Sequence, residues 1–141
     1  MADSIYNAYC ANALKADVDW ENDTIKVALL ANTYTPNKDD STWSDVSAHE
    51  ISGTGYTSGG AALTNVSVTQ DDDNDLSYVD ADDVSWENAT FNCRYAVLYD
   101  DSHANDALIC VFDFGADKSV ENGTFAIRWN ANGIVKLQQG A

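Results

Sequence analysis

Residues 90–99, TFNCRYAVLY, place an apolar or aromatic side chain at every second position. A period of two is typical of a β-strand with one face against a core. The pattern predicts five inward side chains: Phe91, Cys93, Tyr95, Val97 and Tyr99. A second apolar run, ALICVFDF at 107–114, follows the polar residues 100–106, so the two runs together predict a β-hairpin.

Further strands are predicted on both sides of this hairpin. Alternating runs lie at 24–31 (TIKVALLA), 61–70 (AALTNVSVTQ) and 123–130 (GTFAIRWN), with shorter candidates at 76–79, 83–86 and 134–138. The sequence Ala-Asn-Gly at 131–133 predicts a tight turn, since Asn-Gly readily adopts positive φ. Seven or eight short strands indicate an all-β fold, an antiparallel β-sandwich of jelly-roll or immunoglobulin-like type.

The N-terminal residues 1–20 are predicted to form a helical segment that packs on the sandwich or on a neighbouring subunit. Apolar residues recur at Ile5, Tyr9 and Ala13, and Asp3 or Ser4 is expected to cap the helix. Residues 32–45 predict a polar loop, and residues 49–60, with four glycines, predict an irregular connection. A chain of 141 residues is expected to form a single domain, 1–141.

The charge of the chain limits the classes of partner that it can bind. Seven basic and 23 acidic residues, 19 of them aspartate, give a formal net charge of -16. This balance argues against binding nucleic acid or an anionic membrane surface, because both would repel the protein. Molar salt shortens the Debye length to about 3 Å, so such an acidic surface is typical of halophilic proteins. A generic acidic surface protein is the alternative.

Targeting signals are not expected in this chain. No apolar run approaches the roughly 20 residues that cross a bilayer. The opening residues, MADS, lack the basic and apolar regions of a signal peptide. We therefore expect a soluble, acidic protein that is not inserted into a membrane.

A search for catalytic chemistry predicts no catalytic residue and no cofactor. His49 and His103 lie in polar loops, where solvated side chains are more common than general bases. The chain contains no GxSxG, HExxH or GxxxxGK[ST] motif. The glycines of 53–60 lack the strand-glycine-helix context of a nucleotide loop, and paired carboxylates of the glycosidase kind are not singled out.

One acidic segment has a spacing that suits hard cations. The DxDxD pattern is formed by Asp71, Asp73 and Asp75, and alternate carboxylates can converge on one ion. A calcium loop would need glycine where Leu76 stands and glutamate where Asp82 stands. We therefore predict no metal site and favour a hydrated turn, with cation binding by these residues left open.

Three cysteines and four sequons give weaker indications, of disulfide bonds and of glycosylation. Cys10, Cys93 and Cys110 show no CxxC spacing, so buried thiols are favoured over a bridge between the last two. Sequons begin at Asn22, Asn65, Asn88 and Asn122. In a chain rich in Asn and Thr several sequons arise by chance, so glycosylation is not predicted.

Longer segments of the sequence are similar to a known family. They are EISGTGYTSGGAALTNVSVT at 50–69, DADDVSWENATFNCRYAVLYDD at 80–101 and LICVFDFGADKSVENGTFAIRWNANGIVKL at 108–137. With the IKVALL segment at 25–30, they resemble small virion-associated proteins encoded by tailed viruses of bacteria and archaea. The resemblance covers residues 1–139 and implies a virion component; it transfers no catalytic residue.

The resemblance leads to a first functional hypothesis. It implies a non-enzymatic structural protein of a tailed-virus particle, a capsid decoration or vertex (turret) protein that is synthesised in the host cytoplasm and lies at the particle surface. The implied partners are the major capsid protein or other virion proteins, and further copies of the chain in a trimer or vertex-symmetric ring. The alternative is a tail or baseplate protein that recognises a host-surface glycan or receptor, and a hydrolase is a distant third.

Two segments are predicted to contact these partners: the N-terminal helix and the glycine-rich residues 49–60. Aromatic side chains are frequent anchors in protein interfaces. The candidate anchors are Tyr6, Tyr9, Trp43 and Tyr56, for which ordinary core packing is the favoured alternative.

Overall fold

The computed structural model describes residues 3–140 and is mostly β, with two antiparallel sheets and few helices. In chain order the elements are β1 (Ser4–Ile5), α1 (Asn7–Leu14), β2 (Ile25–Leu30), α2 (Trp43–Val46), a 3₁₀ turn (Ser47–His49), β3 (Ala61–Ala62), β4 (Ser67–Asp71), β5 (Leu76–Asp80), β6 (Val84–Asp100), β7 (Ala107–Ile127) and β8 (Val135–Gln138). The larger sheet has the order β1-β7-β6-β2-β3, and the smaller has β4-β5-β8.

The hairpin predicted from 90–114 is confirmed, but its strands are far longer than expected. β6 has 17 residues and β7 has 21, because the candidates at 83–86 and 123–130 join the runs beside them. Polar residues that suggested breaks are accommodated as irregularities in the ladder. Asn88, Gly115 and Asn122 take positive φ there, which Asn and Gly tolerate better than other residues.

The predicted inward face of residues 90–99 is wrong for half of the run. Phe91 and Cys93 lie in the main core, whereas Tyr95, Val97 and Tyr99 lie in a second apolar cluster. The pairing register of the hairpin shifts between Cys93 and Tyr95, opposite residues 113–118 of β7. Strict alternation fails at such an irregularity because the strand bends and twists locally.

The N-terminal prediction also needs correction, because the helix begins later than Asp3 or Ser4. Ser4 and Ile5 form β1 and pair with Val111 and Cys110 of β7. The Asp3 carboxylate accepts a hydrogen bond from the Asp113 amide (2.6 Å) instead of capping the helix. Ser4 and Ile5 therefore extend the larger sheet, and helix α1 has Tyr6 at its N-cap.

The run at 61–70 forms two short strands rather than the single one expected. β3 joins the larger sheet beside β2, and β4 joins the smaller sheet beside β5. Asn65, between them, has a φ of 51°, and this left-handed backbone turns the chain from one sheet to the other. The predicted strand at 24–31, the hairpin loop and the turn at 131–133 are confirmed.

Apolar clusters cover both faces of the larger sheet. Side chains from both sheets form the main core, which includes Val27 and Leu29 of β2 and Val79 of β5. The alternate β2 residues Ala28 and Leu30 belong to the second cluster. Since successive strand residues point to opposite faces, β2 is buried on both sides, and its run ALL reads as continuously apolar.

Candidate interaction surface

A patch of apolar side chains lies where helix α1 and the turn at 17–24 meet the smaller sheet. We name it the apolar ledge and define it as Tyr9, Trp20, Val68 and Leu137. Val68 is 48% exposed and Leu137 is 65% exposed, while Tyr9 and Trp20 are buried. The four residues line a depression of about 110 Å³, whose floor continues into the main core through Val79 and Val135.

Trp20 is held rigidly against Tyr9. Its indole N–H donates to the Tyr9 hydroxyl (2.9 Å), and the two rings meet edge to face with centroids 6.1 Å apart. Burial raises the pKa of Tyr9 above its ordinary value, so the hydroxyl stays neutral while it accepts this bond. The fixed pair gives the ledge a preformed base.

Carboxylates build the turn that carries Trp20. Asp19 Oδ1 accepts hydrogen bonds from the amides of Glu21 and Asn22 (both 3.2 Å), which closes a local turn. Glu21 Oε1 then accepts from the Val68 amide (3.0 Å) and ties the turn to strand β4. The carboxylates of Asp19 and Glu21 therefore both position the ledge and place negative charge beside it.

The four predicted aromatic anchors do not share one surface. The Tyr6 hydroxyl is buried against that of Tyr34 (2.9 Å), so Tyr6 packs inside the fold. Trp43 stacks on Tyr99, with centroids 4.7 Å apart and an interplanar angle of 15°. Of the four, Tyr9 is the one that reaches the apolar ledge, and core packing accounts for Tyr6 and Trp43.

Tyr56 is packed against the sheet together with the glycine-rich segment. Its hydroxyl donates to Glu50 Oε1 (2.8 Å) and accepts from the Leu29 amide (3.0 Å). The same carboxylate accepts from the amide of Gly59 (2.6 Å) and from Ser58 Oγ (3.2 Å). Residues 49–60 are therefore irregular, as predicted, but hydrogen bonds hold them to β2. Tyr56 packs against the sheet and is not an exposed anchor.

The DxDxD residues close a turn. Asp71 accepts hydrogen bonds from the amide (3.1 Å) and the side chain (2.8 Å) of Asn74. These donors hold the pKa of Asp71 below its ordinary value. Asp73 and Asp75 follow in the same exposed loop between β4 and β5. Within residues 3–140, no three His, Cys, Asp or Glu side chains are grouped in a way that could hold a metal ion.

The two histidines take part in local hydrogen bonds far apart in the fold. His49 Nδ1 bonds with Thr33 Oγ1 (2.9 Å), and His103 Nδ1 accepts from the Asn105 amide (3.2 Å). The cysteines are unbridged: Cys93 and Cys110 are buried as expected, but Cys10 is exposed on α1. Cys93 faces Lys118 across the hairpin and Cys110 faces Leu98, so neither thiol is opposite the other.

The sequons divide into two kinds. The side-chain amides of Asn22 and Asn65 donate to Asp19 (2.8 Å) and Asp82 (2.5 Å). Asn88 and Asn122 are exposed at the irregular positions of the long hairpin. All four asparagines therefore have a place in turns or bulges, which accounts for their residue type.

A shallow groove of about 630 Å³ lies at the far end of the hairpin. Its lining residues are Ala31, Ile51, Ser52, Thr90, Phe91, Asn92, Ser119, Val120 and Glu121. Glycan sites commonly stack sugar rings on exposed aromatic faces, and Phe91, the aromatic residue of this lining, is 6% exposed. The groove therefore offers hydroxyl and amide groups without a stacking platform.

Reading the sequence did not single out Val68, Leu137 or Trp20 as surface-forming residues. Val68 and Leu137 lie in alternating apolar patterns like those of core residues. The pattern does not show that the side chains packed over the smaller sheet leave these two residues exposed. Asp100 was also missed: it is the one charged residue that is fully buried between residues 3 and 140. The feature of the sequence that could have indicated this burial is the position of Asp100 directly after the apolar run that ends at Tyr99.

Comparisons with protein-family models, with curated proteins and with solved structures find no match to this chain. In the part of the chain that the structure describes, no helix has both the length and the apolar character needed to cross a membrane.

Proposed function

We propose that this chain is a non-enzymatic structural component of a tailed-virus particle, a capsid decoration or vertex protein. The three motif-bearing segments that resemble virion-associated proteins support this proposal. In the same proposal, the two sheets form a β-sandwich of jelly-roll or immunoglobulin-like type. Its rigidity suits a protein that acts by shape and adhesion at the particle surface.

The observation that carries the proposal is the exposed apolar ledge on a strongly acidic protein. Large aliphatic side chains such as Val68 and Leu137 each gain about 1 to 2 kcal/mol when a partner buries them. One such contact is weak, but many copies bound to a repeating lattice reach strong overall attachment. We infer that the ledge contacts the major capsid protein or another virion protein.

The negative charge of the chain also limits which partner surfaces it can bind. Each copy has a formal net charge of -16, so a neutral or basic rim around the partner's apolar residue favours association. Contacts between copies in a trimer or vertex-symmetric ring need screening, which molar salt supplies. The proposed particle is therefore one that assembles in a saline, halophilic setting.

Recognition of a host glycan by a tail or baseplate protein receives less support. The groove beside Thr90, Asn92 and Ser119 has polar groups but no tryptophan or tyrosine in its lining. A glycan array with the purified chain tests this alternative directly, and specific binding that is lost on N92A would favour it over attachment through the ledge.

The test of the proposal compares two exposed leucines. Leu137 belongs to the ledge, whereas Leu14, 92% exposed on α1, is not among the residues lining the depression. We expect L137D to reduce the copy number on purified particles at least tenfold and L14D to leave it unchanged. Both leucines are exposed, so both variants should fold, which circular dichroism and a thermal melt verify.

Quantitative mass spectrometry of the particles gives the copy number. A lattice component is present in hundreds of copies and a tail-tip protein in a few. Absence of the chain from washed particles, or L137D copies equal to wild type, would overturn the proposal.

A further inference from the structure

The carboxyl of Asp100 is buried at the end of β6, and one of its oxygens has no hydrogen-bond partner among the described residues. Its Oδ1 accepts a hydrogen bond from the Ser102 amide (2.9 Å). Its Oδ2 is buried and faces no N–H or O–H donor of the described residues. Asp23, from the turn at 17–24, lies nearby in the fold, because the next two residues, Thr24 and Ile25, are bonded to Ser102 and paired with Asp100.

Two carboxylates cannot donate to each other, and two adjacent negative charges repel strongly where water is excluded. A single proton between them resolves both problems, because it turns one acid into a donor and removes one charge. We propose that Asp23 and Asp100 share one proton and form a pH-dependent clasp between the turn at 17–24 and the hairpin loop at 101–106.

Asp100 is the member of the pair that keeps the proton. Burial, and then the hydrogen bond with Asp23, raises the pKa of Asp100 to about 7. Asp23 lies nearer the surface, and its hydrogen bonds from Asp100 and the Asp19 amide lower its pKa. The two shifts have opposite signs, as expected for a protonated acid beside an ionised partner.

The segments next to the pair carry further charged groups. They are Asp19 on the turn, Lys26 on β2, and Asp101, His103 and Asp106 on the hairpin loop. Lys26 pairs with Asp101 (3.1 Å) at the surface. His103 favours the ionised form of Asp23. None of these groups supplies a hydrogen-bond donor to Asp100 Oδ2.

The clasp joins two segments that two further bonds hold together. The Thr24 amide donates to Ser102 Oγ (2.8 Å), and the Asp101 amide donates to the Thr24 carbonyl (2.9 Å). The turn that Asp23 closes also carries Trp20 and Glu21, which position the apolar ledge. Loss of the shared proton would place two charges side by side, push the turn outward and loosen Trp20 from Tyr9.

The inference therefore has a structural consequence that does not depend on what the ledge binds. Above neutral pH the turn opens and the Tyr9–Trp20 pair is disturbed; below it the turn is closed. If the proposed function also holds, attachment through the ledge is stronger at mildly acidic pH. The clasp is tested on the purified chain alone, so its failure is distinct from failure of the proposed function.

The experiment is an NMR titration of the full chain from pH 4 to pH 9. Side-chain carboxyl carbons report the ionisation of each aspartate, and the indole N–H of Trp20, assigned with W20F, reports the turn. We expect Asp100 to titrate about three pH units above its ordinary value of 3.8, and the Trp20 signal to move with the same midpoint.

Two variants separate the clasp from general charge effects. D100N replaces the protonated acid with an amide that still donates to Asp23, so the Trp20 signal should stay in its low-pH position up to pH 9. D106N removes one negative charge from the same loop and should leave the Asp100 midpoint within half a pH unit of wild type.

Three results would overturn the inference. One is ionisation of Asp100 below pH 5, and another is a Trp20 signal that ignores the ionisation of Asp100. The third is an Asp100 titration midpoint that shifts by more than one pH unit when tetramethylammonium replaces sodium at constant ionic strength. Such a shift would mean that the pair holds a metal cation in place of the proton.

Discussion

Replacing Gly60 with alanine tests how closely the glycine-rich segment is packed on β2. A Cβ at this position would overlap the Val27 carbonyl and lie 2.8 Å from the Ala28 Cα, both of which belong to the fully buried backbone of β2. The φ of Gly60 is +83°, a region that an alanine adopts at a cost of about 1 to 2 kcal/mol. Forcing a methyl group into a filled site adds about 1 to 3 kcal/mol. We expect G60A to lose about 3 kcal/mol of unfolding free energy.

Gly115 provides the matched control. Its φ is +81°, but a Cβ there would have no heavy atom within 4 Å. G115A therefore carries the backbone strain without the overlap and should lose about 1 kcal/mol. Both variants restrict the unfolded chain equally, so that effect cancels in their difference.

Urea unfolding followed by circular dichroism measures both variants. The difference between G60A and G115A is expected to be about 2 kcal/mol, a large fraction of the 5 to 15 kcal/mol typical of a domain. Equal losses in the two variants would refute the reasoning, since they would show that β2 yields to the added methyl group without cost.

Two further predictions concern ionisation. The unfolding free energy of the wild type should fall by about 2 kcal/mol between pH 5 and pH 7, because only the folded state retains the Asp100 proton in that window, and urea unfolding of D100N should show no such fall. A wild-type value that rises across the window would contradict this sign. With an aromatic disulfide reagent at pH 8, we expect one rapid thiol, Cys10, which is exposed, and two slow ones, because burial raises the pKa of Cys93 to about 12 and that of Cys110 further. Rapid release of three equivalents from the native chain would count against the burial of the two strand cysteines.

Elements that are encoded by short-range sequence patterns could be predicted from sequence. The alternation at 24–31, the polar residues 100–106 between two apolar runs and the Asn-Gly turn at 132–133 each depend on neighbours within a few positions. The lengths of β6 and β7 could not, because Asn88 and Asn122 resemble strand breaks and become tolerated irregularities when the partner strand supplies the remaining hydrogen bonds.

The candidate surface was predicted only in outline. The sequence favoured the N-terminal helix as a contact region, and its Tyr9 does border the apolar ledge. Val68 and Leu137 have the same alternation as the buried Val79 and Val135, so their exposure depends on where the cover of the smaller sheet ends. That boundary is set by Trp20, from a segment more than 40 residues away in sequence.

By itself the sequence determined the β character, the main turns and the acidic surface, since these follow from residue type and short-range periodicity. Only the tertiary structure decided that both faces of β2 are buried, which aromatic side chains are internal and that Asp23 meets Asp100. The physical reason is that burial and electrostatic proximity depend on contacts between distant segments. The buried Asp100 carboxyl and the turn that carries Asp23 come from segments more than 70 residues apart, and nothing in the order of residues places them together.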